Sequence, residues 1–428
     1  MSGLRIAMIG QRGVPATFGG IEHHVEELGA RLVERGHEVT VYCRTNYGDD
    51  HPAEHRGMLL RHLPTVSSKH LDAITHSGLA TLSALGSHHD VIHYHALGPG
   101  LAAPLPRMLS RARVVLTVHG LDDERAKWGK GARSVLRTAQ WMSAHVPNAT
   151  IAVSRSLSDY YAAHHHRSAV YIPNGVSRGV GQPPEAIRHF GLEPGGYVLF
   201  VGRFVPEKSP DLLIRAFGQL DRPLKLVLAG GSAYTDGYAT ELQRLAAADP
   251  RVVFTGYAYG DALEGLYSNA AAFVLPAALE GLPLTLLEAA SHGTPVVASD
   301  IAPHLEVLGK ERAGQRLFTS GDAASLTAAL ERSLADPARE RAGSARFRDR
   351  ILAAYSWERA VLATESVYRM VLGQFDQVLD LRVQERLAEL ELEQADLDLE
   401  RAELEIEAAA AAAETATASA ASATASAA

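Results

Sequence analysis

Short runs of β-branched and other apolar residues alternate with alanine-rich helical stretches along most of this chain of 428 residues. This alternation is typical of βαβ units, which form parallel sheets covered by helices. The pattern divides into two sets at residues 171–184, where Ile-Pro-Asn-Gly-Val is followed by a segment rich in glycine and proline. The predicted strands are 5–9, 38–42, 91–95, 114–118 and 150–153 in the first set, and 197–201, 225–229, 252–255, 272–275 and 295–299 in the second. The sequence therefore predicts an α/β protein with two doubly wound, Rossmann-like domains.

The order of these segments sets the predicted domain boundaries. Residues 1–180 form the first domain, residues 187–350 form the second, and a hinge lies between them. Helical periodicity dominates from residue 323 onward, and residues 351–375 are predicted to form a helix that packs back on the body. Parallel sheets bind ligands at the carboxyl ends of their strands, so two such sheets facing each other form a cleft to which both contribute.

Acidic residues are concentrated near the C-terminus. The formal net charge is −8, but residues 376–428 hold thirteen acidic residues and three arginines, so this segment carries −10 and residues 1–375 carry about +2. A slightly basic body suits anionic small ligands or a surface of lipid headgroups. The sequence has no clustered basic face of the kind that binds nucleic acid, so nucleic acid is not expected as a partner.

A seven-residue repeat follows residue 375 and predicts an acidic helix over 376–407. Its small and apolar residues recur at alternating steps of four and three, which is the spacing of a coiled-coil seam: Ala388, Leu392, Ala395, Leu399, Ala402 and Ile406. A weak homo-oligomer and a single solvated helix both fit this repeat, because it spans only three heptads and its neighbouring acids repel one another. Residues 408–428 are almost entirely alanine, serine and threonine, and we expect them to be disordered.

Three features predict a cytoplasmic protein. The first ten residues lead into a strand-like run without the residue order of a signal peptide. The apolar runs fall short of the roughly 20 residues that a spanning helix needs. The single cysteine, Cys43, cannot form an internal disulfide and fits a reducing compartment. A peripheral position at the inner face of the membrane is compatible with all three.

A glycine-rich loop follows the first predicted strand and opens a helix. Gly13, Gly19 and Gly20 allow backbone amides to turn toward the helix N-terminus, whose partial positive charge stabilises phosphate oxygens. The loop lacks the G-x-G-x-x-G spacing of the dinucleotide fingerprint. It is therefore either a cradle for a diphosphate or a turn that only connects strand to helix.

Two cations follow the first strand of the second set. Arg203 and Lys208 are five positions apart in Gly-Arg-Phe-Val-Pro-Glu-Lys, across a turn. Paired cations at the carboxyl end of a strand can neutralise a departing diphosphate as its charge develops. The alternative is a surface ion pair with Glu207.

Two acids, Glu280 and Glu288, are eight positions apart in Glu-Gly-Leu-Pro-Leu-Thr-Leu-Leu-Glu, around a Gly-Pro turn that leads into a helix. In this apolar setting the carboxylates need polar partners, and sugar or ribose hydroxyls are natural ones. The alternative for Glu288 is a favourable position near the N-terminus of a helix.

Histidines are frequent in the chain, and three of them lie on predicted strands or at a strand end. His119 ends a predicted strand in Thr-Val-His-Gly, whereas His93 and His95 alternate on another strand and share one face of it. The spacing of histidines and carboxylates matches none of the common metal-ligand motifs, so we expect no catalytic metal.

Together these residues resemble glycosyltransferase family 4, the retaining, metal-independent enzymes of GT-B fold that use nucleotide-sugar donors. The resemblance covers residues 4–372. Its most specific element is the pair Glu280 and Glu288, which matches the E-x7-E motif of the family. The opening Arg-Ile-Ala-Met-Ile-Gly-Gln-Arg-Gly-Val-Pro-Ala also looks like a subgroup labelled rhamnosyltransferase-like. Ser209 departs from the family pattern, which has glycine after the lysine in many members.

The resemblance implies a role for each site residue. Glu288 would hold the donor ribose and Glu280 the donor sugar, while Arg203, Lys208 and Gly20 would contact the diphosphate. The remaining implied contacts are His119 near the transferred sugar, Gly256 and Tyr257 against the base, and Gly19 and Leu284 among the donor-binding residues. His119, Glu280, Arg203 and Lys208 would form the catalytic set.

The resemblance further implies that the first domain faces the acceptor and that a hexose moves to a hydroxyl acceptor with retention, by front-face attack. The expected setting is synthesis of a cell-surface polysaccharide or glycoconjugate, with lipid-linked saccharides among the candidate acceptors. No cofactor is expected besides the nucleotide-sugar substrate. The alternatives are a nucleotide-sugar 2-epimerase of the same fold and a non-catalytic coiled-coil scaffold.

Overall fold

Fourteen strands form two sheets in the part of the chain that this computed structural model describes, residues 3–17, 19–48, 50–66, 72–121, 130–232 and 236–374. The predicted acidic helix over 376–407, its heptad seam and the predicted disordered segment 408–428 lie outside those residues. Within the described ranges, no helix is both long enough and apolar enough to cross a membrane.

The first sheet has the strand order β3-β4-β2-β1-β5-β6-β7-β8. Its neighbours are parallel except for β3 and β4, which form an antiparallel edge. The strands are β1 (Arg5–Ile9), β2 (Glu38–Arg44), β3 (Glu54–His55), β4 (Met58–Leu63), β5 (Val91–His95), β6 (Arg113–Val118), β7 (Ala149–Ala152) and β8 (Val170–Tyr171). Every residue of β5 and β7 is buried, as expected for parallel strands covered by helices on both faces.

The second sheet is parallel throughout, in the order β11-β10-β9-β12-β13-β14. The strands are β9 (Tyr197–Val201), β10 (Lys225–Ala229), β11 (Val252–Gly256), β12 (Ala272–Leu275), β13 (Val296–Ser299) and β14 (Gln315–Phe318). One continuous apolar core includes buried residues from both sheets and their helices.

Helices connect the strands and cover the two sheets. Those of the first domain are α1 (Gly20–Glu34), α2 (Asp72–Leu85), α3 (Leu97–Gly100), α4 (Pro104–Leu109), α5 (Lys130–His145) and α6 (Arg155–His165). Those that follow are α7 (Glu185–Arg188), α8 (Pro210–Phe217), α9 (Asp236–Ala246), α10 (Gly260–Asn269), α11 (Leu284–Ser291), α12 (Ala302–Leu308), α13 (Ala323–Ala335), α14 (Pro337–Ala354) and α15 (Trp357–Val371).

Each sheet reverses its strand order at one place. In the first sheet the chain builds outward from β1 through β2 and β4, and then continues with β5 on the other side of β1. In the second sheet the same reversal separates β9 from β12. The loops that leave two such strands diverge, and the gap between them is where doubly wound sheets bind ligands.

The chain crosses between the two domains twice, and the two crossings lie side by side. The first crossing follows β8 and the second joins α14 to α15. The backbone N–H of Val176 donates to the carbonyl of Tyr355 at 2.7 Å, and Val176 also forms a parallel bridge with Ser356. A side chain at Gly175 would lie 2.5 Å from the Trp357 Cα atom, so only glycine allows this approach.

The last described helix returns to the first domain. The Ser356 side chain caps α15 by accepting a hydrogen bond from the Arg359 N–H at 3.2 Å, and α15 then packs against α1 and β6. Residue 350, where we placed the end of the second domain, falls inside α14, which continues to Ala354. The segment 351–375 therefore includes the end of α14 as well as α15.

All ten predicted strands are present, with ends that differ from the prediction by at most two residues. The sequence pattern missed β3, β4, β8 and β14. Strands β3 and β8 have only two residues each, and β4 and β14 contain no β-branched residue. These four strands form because they pair with neighbouring strands, and not because their residues have a high strand propensity.

Candidate active site

The two sheets meet at the carboxyl ends of their strands. A cleft with an empty volume of about 510 Å³, partly open to solvent, lies between the end of β6 and the loops that follow β9 and β12. The cleft is lined by His119, Gly120, Leu121, Arg203, Val205, Glu207, Lys208, Leu279, Glu280 and Gly281. The four residues of the predicted catalytic set therefore share one cleft.

An ion pair forms part of the cleft wall. Lys208 ends a 3-10 turn, Pro206–Lys208, and Glu280 lies in the loop after β12. The Lys208 Nζ atom lies 2.5 Å from Glu280 Oε1, and the two side chains are only 15% and 13% exposed. A backbone hydrogen bond of 2.9 Å from Ala278 N–H to the Glu207 carbonyl joins the two loops. Lys208 thus pairs with Glu280, and the pair holds one positive and one negative group at fixed places in the cleft.

Ser209 has a left-handed backbone conformation, with φ of 48° and ψ of 42°. This region favours glycine, which accounts for the glycine that the family pattern has here. The Ser209 hydroxyl donates to the Pro206 carbonyl at 3.1 Å, a local hydrogen bond that favours the turn. The turn before α8 is therefore formed with serine in the position of glycine.

Gly281 brings the two domains into direct backbone contact. A Cβ atom at this position would overlap the carbonyl of His119 and lie 3.3 Å from the backbone nitrogen of Gly120. His119 directly follows β6, whereas Gly281 begins the turn between Glu280 and α11. The absence of a side chain at Gly281 is what lets the loop with Glu280 reach the end of β6.

Glu288 lies in the second turn of α11, and its carboxylate is held by a buried tyrosine. The Tyr267 hydroxyl, from α10, donates to Glu288 Oε2 at 2.8 Å. Burial raises the pKa of Tyr267 well above its usual value, and the nearby Glu288 carboxylate raises it further. Tyr267 therefore stays protonated and remains a hydrogen-bond donor to this carboxylate.

The N-termini of α1 and α11 lie close to each other. Helix α1 begins at Gly20, and Gly19 is its N-cap with φ of 106°. A side chain at Gly19 would overlap the carboxylate of Glu22, which accepts a hydrogen bond from the Arg12 N–H at 3.0 Å. A methyl group at Gly20 would lie 3.5 Å from the Cδ1 atom of Leu284, the first residue of α11. The positive ends of both helix dipoles are thus directed toward the same region.

Tyr257 lies beside the ends of β10 and β11. Gly256 ends β11 with φ of 71°, and a side chain at Gly231 would lie 2.7 Å from the Tyr257 ring. Burial raises the pKa of the Tyr257 hydroxyl, while the charges of Arg203 and Arg12 act in the opposite direction. These two arginines come from different domains, so charges from both domains act on Tyr257.

Buried histidines form a cluster at the end of β5 and β6. The Nδ1 atom of His95 lies 3.3 Å from Nε2 of His119, and the rings of His93 and His95 are 4.2 Å apart. The His24 ring, from α1, lies 4.7 Å from that of His119. Burial lowers the pKa of His24 to about 4 and that of His93 to about 3, and it lowers the pKa of His95 and His119 well below the usual value. At neutral pH these imidazoles are uncharged.

Asn174 links this cluster to the loop of the second domain. Its Oδ1 atom lies 2.9 Å from Nδ1 of His24, and its Nδ2 group donates to the Leu282 carbonyl at 3.1 Å. Asn174 belongs to the hinge segment Ile-Pro-Asn-Gly-Val. One buried side chain thus connects α1, the hinge and the segment that follows Glu280.

Sequence reasoning missed His24, Asn174 and Tyr267. His24 could have been found from the sequence, because it is four positions after Gly20 and therefore lies on the same face of the predicted helix. Asn174 lies in the hinge segment, but nothing in the sequence indicated that its side chain contacts His24 and the Leu282 carbonyl. Tyr267 lies in an ordinary amphipathic helix, and only the tertiary structure brings it to Glu288.

Comparisons with known proteins agree with this architecture. The family profile described as Glycosyltransferase Family 4 matches residues 18–179, and the profile described as Glycosyl transferases group 1 matches residues 195–336. The two matched regions correspond to the two sheets. The chain belongs to glycosyltransferase family 4.

Two relatives and one solved structure show how far this glycosyltransferase resembles known proteins. It is 28% identical over 396 residues to an alpha-maltose-1-phosphate synthase of Mycolicibacterium smegmatis, covering 86% of the chain and 100% of that protein. It is 28% identical over 376 residues to a GDP-mannose-dependent alpha-(1-6)-phosphatidylinositol monomannoside mannosyltransferase of the same species, covering 80% and 93%. The structure of sucrose-phosphate synthase from Thermosynechococcus elongatus matches with a TM-score of 0.75 at 23% identity, covering 87% and 100%.

These matches confirm the predicted family, the GT-B fold and the enzyme class of the glycosyltransferase. In the GT-B arrangement two parallel α/β domains face each other, as the two sheets do here. The relatives named above are matched over nearly their whole length, so the resemblance includes both walls of the cleft.

Proposed function

We propose that this glycosyltransferase moves a sugar from a nucleoside diphosphate to a hydroxyl acceptor with retention of configuration. The observation that carries the proposal is the Lys208–Glu280 ion pair, held in a cleft that both domains line. A relative whose name states dependence on GDP-mannose supports a nucleotide-sugar donor. Cations and carboxylates in one cleft match the two parts of such a donor, its diphosphate and its hydroxyl groups.

The diphosphate is assigned to the positive groups of the cleft. Arg203 and Lys208 approach from the second domain, and the N-terminus of α1 at Gly19 and Gly20 approaches from the first. A helix N-terminus provides backbone N–H groups and a partial positive charge for phosphate oxygens. As the bond from the sugar to the diphosphate breaks, these groups stabilise the charge that develops on the leaving group. On this basis we propose catalysis without a metal ion.

The nucleoside is assigned to the ends of α11 and β11. The Glu288 carboxylate, oriented by Tyr267, accepts hydrogen bonds from the ribose hydroxyls. The base lies against Gly256 and Tyr257, whose exposed ring offers a stacking surface. Leu284 packs at the start of α11, opposite Gly20, and borders the diphosphate.

The sugar is assigned to the space between Glu280 and His119, which both line the cleft. Glu280 is paired with Lys208, which lowers its availability as a covalent nucleophile. We therefore favour front-face attack: the bond from the anomeric carbon to the diphosphate oxygen breaks, and the acceptor oxygen bonds to that carbon on the same face. The acceptor proton passes to the departing phosphate oxygen. Domain closure would complete the site before this step.

We further propose that the acceptor is presented at a membrane surface, as part of cell-surface polysaccharide or glycoconjugate synthesis. Helices α4 and α5 expose large apolar side chains, with Met108 82%, Leu109 68% and Trp141 54% exposed. A hydrogen bond from Arg107 to the Val146 carbonyl joins α4 to the chain just after α5. Helices α4 and α5 contain basic but no acidic residues, which suits anionic lipid headgroups, although Asp122, Asp123 and Glu124 lie between the two helices in the sequence.

The function is tested by incubating the protein with a panel of nucleotide sugars in the presence of EDTA. Thermal shift identifies the donor, and NMR of the product gives the anomeric configuration. We expect one donor to raise the melting temperature and its sugar to reach the acceptor with the donor configuration. A free 2-epimer formed without acceptor would establish the epimerase alternative, and a protein inert toward every donor would favour the scaffold. Loss of activity in EDTA that manganese or magnesium restores would contradict metal-independent catalysis.

The membrane contact is tested separately by sedimentation with vesicles. We expect binding to vesicles rich in anionic lipid and little binding to zwitterionic vesicles. The double variant Met108→Ser and Leu109→Ser should lose this binding, whereas Leu362→Ser, an exposed leucine on α15, should retain it. Equal sedimentation of all three proteins would remove α4 from the proposal.

A further inference from the structure

Three histidines from three different elements converge next to the cleft. His24 comes from α1, His95 ends β5, and His119 directly follows β6. One ring nitrogen of each lies within 4.8 Å of those of the other two. Nothing in the sequence spacing indicates this group, because the three residues are far apart in the chain.

Each of the three histidines can offer one imidazole nitrogen as a ligand. A histidine binds a metal ion through a ring nitrogen that carries a lone pair. The Nδ1 atom of His95 and the Nε2 atom of His119 form a hydrogen bond with each other, and a bound ion would replace this bond.

The spacing of two of the nitrogens already fits a tetrahedral ion. Zinc-to-nitrogen bonds of about 2.0–2.1 Å at tetrahedral angles place two ligand nitrogens about 3.3 Å apart. The Nδ1 atom of His95 and the Nε2 atom of His119 are 3.3 Å apart. The ligand nitrogens of the three histidines all lie within 4.8 Å of one another. A small movement of the His24 ring would therefore bring its nitrogen to bonding distance of an ion held by His95 and His119.

Asn174 orients the His24 ring for this role. The Nδ2 group of Asn174 donates to the Leu282 carbonyl, so its Oδ1 atom is left to accept from Nδ1–H of His24. That tautomer leaves a lone pair on His24 Nε2, a buried atom that has no hydrogen-bond partner among the described residues. A side-chain oxygen that fixes the tautomer of a histidine is the usual companion of a metal-binding imidazole.

An ion can reach the cluster from solvent. His119 lines the cleft, which is partly open, whereas His24 and His95 lie behind it. Zinc is held in some proteins by three histidines with its fourth position left open. Because His119 lines the cleft, an ion from solvent can reach the cluster through it.

We propose that His24, His95 and His119 bind one zinc ion, and that this ion inhibits transfer. The site is separate from the Lys208–Glu280 pair and is not required for the reaction. Inhibition, which rests on the proposed function, follows because zinc would engage the His119 nitrogen and fill space at the sugar end of the cleft. Binding of the ion itself does not depend on that function.

The binding is tested on the full-length protein after chelation and removal of the chelator. Cobalt replaces zinc as a spectroscopic probe, because its visible absorption reports tetrahedral coordination. We expect a strong visible band that saturates at one cobalt per chain and disappears when zinc is added. A spectrum no different from that of cobalt in buffer would overturn the proposal.

Variants assign the ligands. His24→Gln should weaken zinc binding at least about 100-fold, and Asn174→Ala about 10-fold to 100-fold, because outer partners of ligands have effects of that size. His23→Gln is the matched control, since His23 is the neighbouring residue on α1 and lies outside the cluster. Circular dichroism and thermal unfolding verify that each variant is folded. Unchanged affinity in a folded His24→Gln or Asn174→Ala protein would contradict the assigned site.

Inhibition is measured last, with the donor found in the panel above. Zinc should lower transfer by the wild type and the His23→Gln variant over the same concentration range in which it displaces cobalt. Full activity with the site saturated would overturn the inhibitory role while leaving the site established. A protein without transferase activity would contradict the proposed function, whereas the cobalt titration would still decide the zinc site.

Discussion

The Nζ atom of Lys208 and the Oε1 atom of Glu280 lie 2.5 Å apart although the two residues follow different strands, β9 and β12. These strands are neighbours at the place where the strand order of the second sheet reverses. The pair therefore lies where a doubly wound sheet binds its ligand. In the absence of substrate each side chain neutralises the other, and a bound diphosphate would give Lys208 a second anionic partner.

Replacing this lysine should impair transfer. We expect Lys208→Ala to lower turnover at least about tenfold, because a charge-assisted contact to phosphate contributes about 1.5 to 3 kcal/mol. Steady-state kinetics with the identified donor provide the measurement. Lys225→Ala is the matched control, since the Lys225 Nζ group donates to the Gly191 carbonyl and lies outside the lining of the cleft. Wild-type turnover in a folded Lys208→Ala protein would show that the diphosphate is assigned to the wrong place.

The tyrosine behind Glu288 should affect donor binding. Tyr267→Phe removes the hydroxyl that holds Glu288 Oε2, and we expect the KM for the donor to rise roughly three- to tenfold, equivalent to about 1 kcal/mol. Tyr197→Phe is the control. The Tyr197 hydroxyl donates to the carbonyl of Leu266, which lies in α10 next to Tyr267, and not to Glu288. If both variants bind the donor equally well, the orientation of Glu288 does not matter for ribose recognition.

The backbone contact at Gly281 should tolerate no side chain. In Gly281→Ala the new methyl group would overlap the His119 carbonyl and force the loop with Glu280 away from β6. We expect turnover to fall about 100-fold, the effect of a displacement of about 1 Å in a catalytic site. Gly78→Ala is the control, since a side chain there meets nothing within 4 Å. Normal kinetics for Gly281→Ala would mean that the two domains need not approach this closely during the reaction.

Acid should destabilise the protein through a buried histidine that does not line the cleft. Burial, followed by the charge of Arg44, lowers the pKa of His76 to about 4, while the Cys43 backbone and Asp72 act in the opposite direction. In the unfolded chain His76 binds a proton below about pH 6.5, whereas in the folded protein it does so only near pH 4. The free energy of unfolding therefore falls as the pH is lowered from 6.5 to 4. The substitution His76→Leu should reduce the slope of the unfolding free energy against pH by up to about 1.4 kcal/mol per pH unit. Denaturant titrations from pH 4 to 7 measure it, and parallel curves for the two proteins would show that folded His76 is protonated in this range.

The sequence predicted most of the framework because β-branched runs and glycine-rich turns are local signals. Strands such as β5 and β9 were found with the observed limits, 91–95 and 197–201. Strands β4 and β14 were missed, since their residues adopt the strand conformation only through pairing with β2 and β13. Local propensity identifies the buried centre of each sheet more readily than its edges.

Of the predicted site residues, His119, Arg203, Lys208 and Glu280 line one cleft, and each of them follows the end of a strand. Glu280 and Lys208 could be named from the sequence, but their ion pair could not, since it depends on the contact between two loops and the two residues are 72 positions apart in the chain. The same holds for His24, His95 and His119, whose proximity requires α1 to lie over the ends of β5 and β6. Long-range proximity, rather than residue type, is the information that the sequence lacked.

The paired crossings at Val176 and Ser356 restrict how the two domains can move. A single connecting segment would let one domain both bend and twist relative to the other. The two segments are bonded to each other at Val176, so we expect them to restrict twisting more than bending about an axis near both. Asn174 is two residues before Val176 and forms hydrogen bonds with His24 of the first domain and the Leu282 carbonyl of the second. Opening by this bending motion would move His24 and Leu282 apart. Opening of the cleft for release of the nucleotide is thus expected to change the hydrogen bonds of the buried Asn174 amide.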